Sequence, residues 1–154
     1  AVQRFMVRHS LVAECGRIGI NPDHPSPERD RAEAAVGRFW APPSEDPRTP
    51  PPHSTGAAVD LTLSDAHGQG LAMGGAIDAL GSISEPEHYA AAAAADPGGP
   101  AAQWHQRRRL LASCLGQAGF AQHPNEWWHY SFGDQLWAWR RGEPVACYGR
   151  CPEG

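Results

Sequence analysis

The chain has 154 residues, with 13 basic and 17 acidic side chains and a formal net charge of −4. That balance excludes the basic face by which proteins hold nucleic acid, and no apolar run approaches the ~18 residues of a membrane span. The length predicts a single domain, residues 1–154, burying about two thirds of its unfolded surface, so neither metal nor disulfide is needed for folding.

Any metal site is therefore expected to be catalytic. All basic residues are arginine, which rules out lysine chemistry. Of the four cysteines, Cys15 and Cys114 fall in apolar helical contexts and are expected to be buried thiols. Cys147 and Cys151 have a spacing that fits a zinc knuckle poorly, and a disulfide between them stays open. This usage favours a reducing compartment and a cytoplasmic location.

Val2, Phe5, Met6, Leu11, Val12 and Cys15 recur at helical spacing over residues 1–18. The chain opens on this helix without a cap, so it is expected to be an N-terminally truncated fragment, and a leader upstream stays open. Ser26, Pro27 and Glu28 give a well-marked start to a second helix running to Trp40. The prolines of 42–52 enforce a loop. In HSTGAAVDLTL, residues 53–63, apolar alternation predicts a strand with Ala58, Asp60 and Thr62 on one face. A turn follows at 64–70, then strand and loop over 71–82. Helices are expected at 85–95, the second half of which is an alanine run, and at 100–118, stopped by Gly119. WWHYSF and QLWAWR alternate around Gly133-Asp134 and predict an antiparallel hairpin, with Trp127, Tyr130 and Phe132 in the core. The order predicts an α+β fold, an antiparallel sheet with helices packed mainly on one side.

Polar groups interrupt these apolar strands. His53 follows three prolines, and Asp60 lies inside an apolar strand, where a carboxylate is costly unless paired or bound to metal. Gly56, Ala57 and Ala58 leave room for a chain reversal or a ligand. Glu126 and His129 bracket Trp127 and Trp128. Two histidines and a carboxylate make a common catalytic zinc shell with its fourth position open to water. A carboxylate outside the shell can then act as base. His53, Asp60 and His129 are the candidate ligands and Glu126 the candidate base. Each half alone is better explained by hydrogen-bonded structural groups than by a metal site. His123, beside Pro124, is a candidate for a supporting role; His9, His24, His67, His88 and His105 have no partner pattern.

Together the two motifs resemble those of the D-alanyl-D-alanine dipeptidases, the VanX-like zinc peptidases, with their S-x-H-x-x-G-x-A-x-D and E-x-W-H. The first matches at His53, Gly56, Ala58 and Asp60, the second at Glu126, Trp128 and His129. The resemblance runs through most of the chain, including M-G-x-x-x-D at Met73, Gly74 and Asp78. It implies one zinc ion per chain, held by His53, Asp60 and His129 on the sheet, and a zinc-activated water as nucleophile. Glu126 would be the general base and Asp78 the anchor of the substrate ammonium. The substrate implied is the small dipeptide D-Ala-D-Ala of cell-wall (peptidoglycan) metabolism, with no nucleic-acid or membrane partner. Two departures stand out. The family serine of the first motif is Pro51 here. The family's arginine-proline segment, whose arginine is taken to stabilise the oxyanion, precedes the first helix and would lie before Ala1, which predicts weak catalysis by this chain alone. Two other readings remain open: a D,D-carboxypeptidase or endopeptidase on longer peptidoglycan peptides, and a non-catalytic zinc-stabilised binding domain.

Overall fold

Helices α1 (Val2–Arg17) and α2 (Pro27–Val36) begin a computed structural model that describes residues 2–40 and 42–151. The chain divides into two compact units, the first ending at Pro51 and the second starting at Pro52. In the first unit, Leu11 and Cys15 of α1 meet Ala32 of α2, with Ile20 packed alongside. The side chain of Val2 lies outside the described residues; Phe5 and Val12 are exposed. The start of α2 is as the sequence predicts: Ser26 Oγ accepts from Arg29 N, and Glu28 and Asp30 favour the positive end of the helix. The helix stops at Val36 rather than Trp40, loosening into a turn at Gly37.

The second unit is built on a three-stranded antiparallel sheet of order β1-β3-β2: β1 (Ala58–Asp60), β2 (Ala121–Gln122) and β3 (His129–Ser131). Helices α3 (Ala90–Ala95), α4 (Pro100–Gln117) and α5 (Gln135–Arg141) complete it. α4 and α5 pack against β2, and α3 packs against α4. Met73, Leu111, Trp127, Trp128 and Tyr130 form the core, flanked by Val59, Leu63, Leu115 and Phe120. This is the α+β fold expected, with several local differences.

The strand predicted over 53–63 is three residues long, because Pro52–Thr55 form a 3₁₀ turn and Gly56, at φ 70°, turns the chain before β1 begins. Thr55 Oγ1 locks that turn, donating to Pro52 O at 2.6 Å and accepting from Ala57 N at 3.1 Å. The predicted strand after residue 70 is a loop, with one bridge between Ser64 and Gly70. The helix expected from Glu85 starts only at Ala90.

The predicted hairpin is a strand followed by a helix. Asp134 accepts from Trp137 N at 2.8 Å and caps α5, and Gly142, at φ 72°, closes it. Apolar alternation in QLWAWR misdirects; cap and stop were the better signals. Phe132 is accordingly 39% exposed rather than core. Cys15 is buried as expected, whereas Cys114 is exposed, and all four cysteines are free thiols. Among the described residues no helix is long and apolar enough to cross a membrane.

Candidate metal centre

The register of two short strands builds the site. β1 and β3 pair so that Asp60 stands opposite His129, the relation in which cross-strand side chains touch. The 3₁₀ turn before β1 brings His53 back over the same sheet end, where its ring meets the His129 ring edge-on at 4.7 Å between centroids. His53 Nε2 lies 3.5 Å from Asp60 Oδ2, and His129 Nδ1 lies 3.2 Å from Asp60 Oδ1. One ligand atom from each of the three residues lies within 4.8 Å of the others. Glu126 stands on a further side, with Oε2 3.4 Å from His129 Nδ1 and 3.8 Å from His123 Nδ1.

The electrostatics show what this cluster lacks. Glu126 is 5% exposed. Burial first, then the Asp60 and Asp78 carboxylates, push its carboxyl up to about 8. Burial, then the charges of His129 and Arg140, push His123 down to about 4, while Asp60 pulls the other way. Asp78 sits on an exposed turn with left-handed backbone, φ 64°. Such a conformation is costly for a residue with a Cβ and tends to persist at functional turns. Partial shielding from water, then the Asp60 carboxylate, raise its carboxyl; His53 lowers it. Asp78 therefore shares the field of the His53–Asp60 pair.

A divalent cation fits this donor set. Asp60 Oδ1 is buried with no hydrogen-bond partner among the described residues, a costly condition that a cation would relieve. The 3.2 Å between His129 Nδ1 and Asp60 Oδ1 is close to the ~3.3 Å between two ligands of a tetrahedral ion bound at ~2.0–2.1 Å. Three carboxylates converge here, so positive charge is what the cluster wants. The structure thus draws His53, Asp60, His129 and Glu126 into one cluster, with Asp78 near enough to feel the charges of Asp60 and His53.

Sequence reasoning missed three residues. Ser131 and Asp134 lie behind His129, at 0% and 1% exposure; the i, i+2 spacing of His129 and Ser131 on one strand face was the available signal. Arg108, 2% exposed, donates to the carbonyls of Met73, Ile83 and Glu85 at 2.8, 3.0 and 2.9 Å. Its guanidinium lies 4.9 Å from the Tyr89 ring centroid and 5.1 Å from that of Trp127. It staples the loop that carries Asp78 to the core beside Glu126. Arg4, by contrast, pairs with Glu45 at 2.6 Å on an exposed face.

The fold and this group define an α+β protein with a two-histidine, one-carboxylate centre able to hold a metal ion. The model of peptidase family M15, D-Ala-D-Ala dipeptidase, matches residues 1–146, and the chain belongs to that family. A D-alanyl-D-alanine dipeptidase of Synechocystis is 42% identical over 162 residues, which is 97% of this chain and 64% of that protein. D-alanyl-D-alanine dipeptidases of Escherichia coli K12 and Enterococcus faecium are 38% and 36% identical over 78 and 84 residues, 51% and 54% of this chain and 36% and 37% of theirs. The chain spans less than two thirds of the length of these relatives. No solved structure matches it.

Proposed function

We propose that this chain carries the site of a zinc-dependent dipeptidase that hydrolyses D-Ala-D-Ala. The observation that carries the proposal is the convergence of His53, Asp60 and His129 within 4.8 Å, with the buried Glu126 carboxyl 3.4 Å from His129. His53, Asp60 and His129 would hold the ion, which supplies Lewis acidity and a nucleophile at neutral pH when bound.

Glu126 does the proton work. Its carboxyl, held up to about 8 before any cation neutralises the cluster, is poised near the operating pH. With its charge offset by a cation, Glu126 would be the carboxylate that accepts the proton of the attacking water. The same group then returns that proton to the leaving amine. Asp78 binds the free ammonium of the substrate. An anchor of that charge selects a dipeptide over a longer peptide, whose corresponding nitrogen is an uncharged amide.

The test is Glu126→Ala with zinc content and turnover measured together. Zinc should stay bound while kcat falls about 10²–10⁴-fold; undiminished turnover would refute the base assignment. An N-acylated dipeptide should be a poor substrate beside the free one, and equal turnover of both would remove Asp78 from its role and point to longer peptidoglycan peptides.

A further inference from the structure

His129 can meet a metal through Nδ1 only if its proton sits on Nε2, and the residues behind it decide that. His129 Nε2 lies 3.3 Å from Ser131 Oγ, and Ser131 Oγ donates to Asp134 Oδ2 at 2.8 Å. A serine hydroxyl has one hydrogen. Because that hydrogen goes to Asp134, Ser131 Oγ can only accept from the histidine. Asp134 is held in turn: its other oxygen, Oδ1, accepts from Trp137 N at 2.8 Å as the cap of α5. All three side chains are buried, at 4%, 0% and 1% exposure, so solvent does not scramble the order. The strand contributes as well, since His129 and Ser131 project from one face of β3 and turn together.

We infer that Ser131 and Asp134 are positioning residues that lock His129 in the Nε2–H tautomer and so leave the Nδ1 lone pair facing Asp60. This rests on the proposed role of His129 as a metal ligand. The direction of the chain is Nε2–H to Ser131 Oγ, then Oγ–H to Asp134 Oδ2, and it begins at a backbone N–H that cannot be reversed. Trp137 N–H demands an acceptor at the Oδ1 position of residue 134. In Asp134→Asn the amide oxygen must therefore stay on Trp137 and the amide NH₂ must face Ser131. Ser131 then accepts from residue 134 and turns its hydrogen toward His129 Nε2. The histidine proton is driven to Nδ1, where it blocks the metal. Asparagine caps helices as well as aspartate does, so α5 survives the change. Ser131→Ala only removes the lock and leaves both tautomers accessible.

The experiment reads the His129 ring nitrogens by ¹⁵N chemical shift in the metal-free full chain, then zinc affinity by competition with a chromophoric chelator. The unaltered chain should show protonated Nε2. Asp134→Asn should show protonated Nδ1 and lose about 100-fold in zinc affinity, and Ser131→Ala should lose about 10-fold, the range expected for the partners of metal-bound histidines. Ser131→Thr keeps the hydroxyl and should restore affinity. Protonated Nδ1 in the unaltered chain, or an unchanged tautomer in Asp134→Asn, overturns the lock. Inversion of the tautomer with undiminished zinc affinity instead overturns His129 as a ligand. A fall in affinity for Ser131→Ala equal to or larger than that of Asp134→Asn means that packing, not proton direction, is what these residues supply, and also refutes the proposal.

Discussion

Replacing Glu126 by glutamine removes a buried acid that the metal-free fold holds at a cost. The carboxyl rises from 4.5 to about 8 on folding. Between those values the folded chain binds more protons than the unfolded one, so its stability falls as pH rises. With ~1.4 kcal/mol per pH unit, integration between the two states gives a cost of about 4 kcal/mol at pH 8 and close to zero at pH 4. About 2 kcal/mol of it develops between pH 6.5 and 8. That window isolates the carboxylate. His123, depressed from 6.5 to about 4, acts with the opposite sign, its contribution rising with pH from about 4 and complete near 6.5. Glutamine matches the shape of glutamate and carries no charge at any of these pH values. Metal-free Glu126→Gln should therefore equal the unaltered chain in urea denaturation at pH 4 and exceed it by about 4 kcal/mol at pH 8. Saturating zinc should shrink the gain, because a cation offsets the same charge. A pH-independent difference between the two chains would refute the claim that Glu126 titrates while buried in this cluster.

Arg108→Met should leave the carbonyls of Met73 and Ile83 without their donor, while Glu85 O keeps His88 N. The expected loss is about 3–5 kcal/mol, a fall of roughly 10 °C in Tm by calorimetry. Arg108→Lys should recover less than half, since a single ammonium cannot reproduce the fork; a silent Arg108→Met would show that the loop is held by its other contacts. Gly74→Ala should cost several kcal/mol more than Gly56→Ala by the same measurement. Both glycines have positive φ, 82° and 70°, but a Cβ on Gly74 would drive into the Tyr89 ring and come within 2.9 Å of Trp104, whereas one on Gly56 meets nothing within 4 Å. Gly56→Ala should thus show only the ~1–2 kcal/mol of left-handed backbone.

Much of the candidate site was legible in the sequence, where two motifs taken together resemble those of a known family. His53 and Asp60 before and within an apolar strand, and Glu126 and His129 around two tryptophans, are polar groups that burial penalises unless they meet one another. Side-chain chemistry is a local property, so the candidate ligands, the candidate base and the α4 helix could all be read along the chain. Ser26, Pro27 and Glu28 marked the start of α2 for the same reason: a helix cap is satisfied within one turn.

What the tertiary structure alone decided is relation across distance. The pairing of Asp60 with His129 is a matter of register, and a slip of one residue would have turned either side chain to the opposite face. Arg107, Arg108 and Arg109 are indistinguishable as letters. Only packing makes the middle one a buried staple between Tyr89 and Trp127, while Arg107 is half-buried and bonded to Ala72 O and Arg109 is exposed near Glu87. The segment after Gly133 alternates like a strand, yet Asp134 caps it into a helix, and that cap is what orders the hydrogen bonds behind His129. Composition and local pattern supplied the chemical groups; long-range contacts, invisible to any window of neighbouring residues, chose their partners and the direction in which their protons point.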